Sequence, residues 1–146
     1  MPQSRTPTSA SRAIIEELAQ PRLLQSLGPI ASRFVYSLRL VALHQRVKRD
    51  PVPELAARLS SVEVAAKALA LAHTVSAVWP EDIHVSRFCC CKLTHDEATI
   101  AELIDAASEQ DRAAFNRAAD GLIRPDRISR LWDSAVNLVE ADLSAV

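Results

Sequence analysis

The chain has 146 residues, 49% of them hydrophobic and 24% charged, with a formal net charge of −1 and a sequence pI near 6.4. That length suits one domain burying about two-thirds of its unfolded surface, and the pI lies well below the basic character of a dedicated nucleic-acid-binding domain. Only two glycines are present, Gly28 and Gly121, too few for the tight turns of a many-stranded sheet; composition points to an all-α protein.

The charge is unevenly spread. Met1 to Trp79 carries ten Lys/Arg against five Asp/Glu, a net +5, whereas Pro80 to Val146 carries seven against thirteen, a net −6. Opposite-signed halves are expected to face each other within one molecule or across a dimer; the alternative is that the basic half meets an acidic partner.

Residues 1–9 lack a core-forming pattern and read as a flexible tail, leaving 10–146 as a single helical domain. A first helix is expected from near Ser9 or Ser11, with Ile14, Ile15 and Leu18 on one side, interrupted at Pro21. Another turn or two follows over Arg22–Leu27, ended by Gly28 as a helix-closing glycine. Pro29 then opens an amphipathic helix reaching about Arg49, because proline is favoured at the first helical position. Ile30, Phe34, Leu38 and Val41 form its apolar stripe, while Arg33, Arg39 and Arg46 are expected in water. Its last turn, with His44, Arg46, Lys48 and Arg49, complements the helix dipole. Asp50-Pro51-Val52-Pro53 breaks the chain before a short helix over Glu54–Leu59.

Ser61 to Trp79 is apolar on every side and uncharged after Lys67. A helix with no wet side must be enclosed, and the run is too short to span a bilayer. It is therefore expected at the centre of the bundle, started by a Ser60/Glu63 capping box and stopped by Pro80. Pro80 to Leu93 reads as an ordered, packed-down connection, since Ile83, Val85, Phe88 and Cys89-Cys90-Cys91 are too apolar for a free loop. Thr94 and Glu97 form a second capping box, starting a helix with Ile100, Leu103, Ile104 and Ala107 inward. A further helix within Ser108–Asp120 buries Ala114, Phe115 and Ala118 and stops at Gly121. Pro125 opens the last helix, with Ile128, Leu131, Trp132, Ala135, Leu138 and Val139 in a long stripe. The sum is an all-α, single-domain bundle of six or seven helices around the central apolar helix 61–79.

Three chemistries have candidate residues. Cys89, Cys90, Cys91, His84 and His95 are ligand types for zinc, with Cys91, His95 and His84 the best set, although no C-x-x-C pair is present. Alternatively Cys91, beside Lys92 and ahead of a helix start, could be a reactive thiolate served by His84 or His95. The competing reading is that all three cysteines are buried as small hydrophobes and that no cofactor is held. Arg46, Lys48 and Arg49 could meet nucleic-acid phosphates, or simply be a solvated helix end. His73 is expected as a core histidine. The odd, contiguous cysteines, with no secretory apolar region ahead of them, predict a reducing, cytoplasmic setting without membrane insertion. By elimination the chain reads as a non-enzymatic interaction or regulatory protein that self-associates as a homodimer or meets a protein partner. Apolar stripes at both ends (Ile14, Leu18, Leu24; Leu131, Trp132, Leu138) are the expected partner surface.

Overall fold

Helix α1, Pro29–Arg46, sets the frame of the computed structural model, which describes residues 22–145. The tail and the first helix expected before Pro21 lie outside those residues. Pro29 does occupy the first helical turn, and Ile30, Phe34, Leu38 and Val41 are buried. Gly28 serves the start of α1 as its N-cap, with φ −61, instead of closing a preceding α-helix; among the described residues the element before it is a 3₁₀ turn, Leu24–Ser26. The far end also differs from expectation. α1 stops at Arg46, and Lys48, at φ 54, and Arg49 lie beyond the last turn.

Helices α2, Val52–Leu59, and α3, Val62–Val78, follow with a sharp reversal between them. Ser60 takes the left-handed conformation that ends α2, so the N-cap of α3 is Ser61, whose hydroxyl accepts from the Val64 N–H. The expected cap at Ser60 is therefore one residue too early, and Glu63 is not the reciprocal partner of Ser60. Trp79 is extended (ψ 140) ahead of Pro80, as the proline ring requires.

The remaining helices are α4, His95–Ser108; α5, Arg112–Ala119; and α6, Pro125–Ser144. The Thr94/Glu97 capping box is formed in both directions at the start of α4. Asp111 caps α5, and Gly121, at φ +75, makes the turn that follows, where a side chain would be strained. Together these six α-helices pack into one helical bundle with no strand among the described residues beyond a single antiparallel bridge, Leu23 to Lys92. No helix among them is long and apolar enough to cross a membrane.

α3 packs against α1, α2 and α6, while α4 packs against α1, α5 and α6. The main core joins Phe34, Leu38, Leu71, Val75, Ile100, Ile104, Phe115, Leu131 and Leu138; a smaller cluster under α2 joins Leu40, Val41, Leu55 and Ala65. Phe115 meets Trp132 edge-on at 5.1 Å between ring centroids, a favoured aromatic geometry. The stripe through Leu131, Trp132 and Leu138 is thus spent inside the bundle: Leu131 and Leu138 are buried and Trp132 is half-buried. It is not a spare partner surface.

The central helix also corrects its expectation in part. Val64, Ala68, Leu71, Ala72, Val75 and Val78 are buried, but Val62, Ala66, Ala70, His73, Ser76 and Ala77 are exposed. An apolar helix can leave one side open when alanine makes up much of that side, because an exposed methyl group forfeits little burial energy. His73 accordingly faces solvent and is not a core histidine.

Candidate functional site

The most constrained chemistry in the molecule surrounds the segment between α3 and α4. Arg39, expected in water, is completely buried at the middle of α1 and pairs with an equally buried Glu97. Its Nε donates to Glu97 Oε2 at 2.6 Å and its Nη2 to Oε1 at 3.0 Å, a two-pronged pairing that arginine's planar fork permits. Nη1 also donates to the Cys90 carbonyl at 2.6 Å and Nη2 to the Lys92 carbonyl at 3.0 Å. Glu97 in turn accepts from the Thr94 N–H at 2.9 Å and the Ser86 N–H at 3.3 Å. Among the described residues no buried side-chain polar atom is left unpartnered.

Burial penalises the charge on Glu97, but hydrogen bonds from Arg39, Thr94 and Ser86 outweigh it and hold the carboxyl below its ordinary range. The Glu97 hydrogen bond likewise outweighs burial at Arg39 and pushes its pKa up. Both groups are therefore fixed in their charged forms, and each is used up by its partners.

Around this pair the connection is tied down along its length. The His84 N–H donates to Asp96 at 2.8 Å, and the Thr94 hydroxyl donates to the His84 carbonyl at 2.6 Å. The Ser86 hydroxyl reaches the Lys92 carbonyl, and Leu24 and Leu93 exchange backbone hydrogen bonds with Cys91 and Arg22. Phe88 tilts against Tyr36 at 4.4 Å, with the Arg58 guanidinium 5.1 Å from its ring centroid. The packed-down connection read from the sequence is present, although its cysteines are not what is packed. Cys89 and Cys91 are exposed and Cys90 is half-buried, all three as free thiols. Phe88 and the backbone carbonyls hold the loop, so the thiols are left at its rim, contrary to the expectation of three buried hydrophobes.

His84 and His95 have exposed side chains, and the former contributes its backbone to the loop's hydrogen bonding. Among the described residues no three His, Cys, Asp or Glu side chains come close enough to hold a metal ion, so Cys91, His95 and His84 are not gathered into a ligand set. Arg46, Lys48 and Arg49 are all exposed, at the end of α1 and just past it, beside Leu43 and Val47, which are 43% and 58% exposed.

The charge asymmetry is met in part within the molecule. Arg22–Glu102, Arg33–Asp142 and Arg39–Glu97 each join the basic half to the acidic half. Sequence reasoning missed all three pairs, which span long stretches of chain. Arg39 is flanked in sequence by Leu38 and Leu40, which does not name a partner; in the structure it lies in the run Val35–Val41, of which only Tyr36 escapes full burial. The chain matches no family model, no curated protein and no solved structure.

Proposed function

We propose that this chain is a non-enzymatic helical interaction protein that associates with a second copy of itself through the open side of α3. The observation that carries the reading is the surface made by Val62, Ala66, Ala70, His73 and Ala77. These residues recur at spacings of four, four, three and four, so they share one helical side about 22 Å long. Only Glu63, at its margin in the first turn, brings a charge to that side. Arg127, at the start of α6, donates to the Ala77 carbonyl at 3.1 Å, so α6 runs antiparallel to α3. Its last turn, with Leu143, therefore lies at the same end as Val62. These two are the most exposed large hydrophobics described, at 62% and 72%.

A second copy fits this surface on physical grounds. An isologous two-fold contact needs a self-complementary patch, and an uncharged row of small side chains meets its own copy without repulsion. Alanines let two helix backbones approach closely. The Arg39–Glu97 pair supports the non-catalytic half of the proposal, since both side chains are fully buried and four of the five guanidinium N–H groups and both carboxylate oxygens are already engaged by each other and by the loop.

Sedimentation equilibrium tests the reading. The wild-type chain is expected to dimerise in the micromolar range, and Ala70→Glu, at an exposed position, is expected to be a folded monomer. A wild-type monomer at about 100 μM (roughly −5.5 kcal/mol of association or weaker), or a dimer unaffected by Ala70→Glu, overturns it.

A further inference from the structure

We propose that the cleft between α1, α3 and the extended segment after Pro80 is a binding site for a small apolar α-amino acid in its zwitterionic form. The cleft has a volume of about 450 Å³, within the range of small-molecule sites, which run from about 300 to 1,000 Å³. Ile83 and Val85 from the connection, both half-buried, give it an apolar wall, with Leu38 and Val41 of α1 and Ala72 of α3 buried at its floor. Arg46 and Asp82 bring opposite charges into the same cleft. Both are exposed, and no ion pair joins them.

That arrangement selects among ligands. A purely apolar molecule would leave the guanidinium and the carboxylate unused. A simple anion would gain Arg46 but be repelled by Asp82, and a simple cation would meet the reverse. A zwitterion satisfies both: its carboxylate is matched by the planar guanidinium, its ammonium by Asp82, and its apolar side chain by the lining. Gln45, His73 and Ser76 supply further hydrogen-bonding groups at the same cleft. The connection that forms one wall is held by the Arg39–Glu97 pair through Ser86 and Lys92, so that wall is pre-formed, which limits the ordering cost of binding. The cleft adjoins the self-association surface proposed above and shares His73 with it, but its two charged groups, Arg46 and Asp82, lie outside that surface, so the two proposals are tested separately.

The test is an amide-resolved NMR titration of the full chain with L-leucine, 4-methylpentanoate and isoamylamine, which share a side chain but differ in charge. Leucine is expected to shift the amides of Gln45, His73, Ser76 and Val85. Each singly charged analogue is expected to bind at least about tenfold more weakly, a difference of about 1.4 kcal/mol. Arg46→Ala and Asp82→Asn, both at exposed positions, are each expected to weaken leucine by a similar factor while leaving the circular dichroism unchanged. The proposal fails if leucine causes no shifts at about 10 mM (a Kd weaker than about −2.7 kcal/mol). It fails equally if the three compounds bind alike, or if the shifts fall outside the cleft.

Discussion

Replacing Glu97 with glutamine removes one charge while keeping the side chain's shape, and so isolates what the buried pair contributes. In the wild type the carboxylate accepts from Arg39 at 2.6 and 3.0 Å, from Thr94 at 2.9 Å and from Ser86 at 3.3 Å. Glutamine offers one accepting oxygen in place of two, and turns an N–H₂ toward other donors. More costly still, the Arg39 charge remains buried without its counter-ion. Breaking one side of such a pair typically costs about 3–5 kcal/mol. Against a total stability of about 5–15 kcal/mol, that is a large fraction. With a urea slope of about 2 kcal/mol per molar, the unfolding midpoint should fall by about 2 M. Adding Arg39→Met to Glu97→Gln should recover part of the loss, because the uncompensated charge leaves with it, and the cycle should show a coupling of about 2 kcal/mol or more. The effect also has a pH signature. The carboxyl is held below its ordinary range in the folded state, so its contribution is complete above the unfolded value of about 4.3 and fades as pH falls through the folded one. Wild type and Glu97→Gln should accordingly converge in strong acid. A midpoint shift below about 0.5 M at pH 7, or an additive double mutant, would refute the reasoning.

Asp105 provides the opposite case. Burial, with help from Glu109 and Glu102 and against the pull of Arg22, raises its pKa, so its ionised form opposes folding at neutral pH. Asp105→Asn should raise the urea midpoint at pH 7, and the gain should vanish below about pH 4, where the unfolded carboxyl is also protonated; an unchanged or lower midpoint at pH 7 would contradict this. The cysteine loop gives a third outcome. In native protein a chromogenic disulfide reagent should consume the exposed Cys89 and Cys91 first and the half-buried Cys90 more slowly. Uniform rates for all three thiols would mean the loop does not hold the described conformation.

Local signals were readable from the sequence, and long-range ones were not. The Thr94/Glu97 capping box, the Pro29 and Pro125 helix starts and the α1 stripe all follow from residues within four positions of one another. Arg39 and Glu97 lie 58 residues apart, and nothing in helical periodicity links them. Arginine's default place is in water, so a buried one shows itself only when its partner is known. The dry look of Ser61–Trp79 misled for another reason: hydropathy does not separate an enclosed alanine from an exposed one. Its two leucines did go inside, Leu71 buried and Leu69 half-buried, as did Val75, while its alanines divided between core and surface. At the cysteines, composition suggested inward-facing thiols. The loop is anchored instead by Phe88 and by carbonyls at Cys90 and Lys92, and main-chain acceptors leave no trace in side-chain pattern.

The fork of Arg39 bears on how this chain could diverge. Lysine, its usual conservative replacement, offers three N–H groups from a single point and cannot reproduce the four hydrogen bonds that the planar fork spreads over the carboxylate and two separate carbonyls. Glutamate at 97 is confined just as tightly, because it closes a helix start as well as meeting the guanidinium. Either site altered alone passes through a destabilised intermediate, so the two are epistatically coupled. Descendants of this sequence should keep both residues or exchange them as a pair, even as the surface around them drifts.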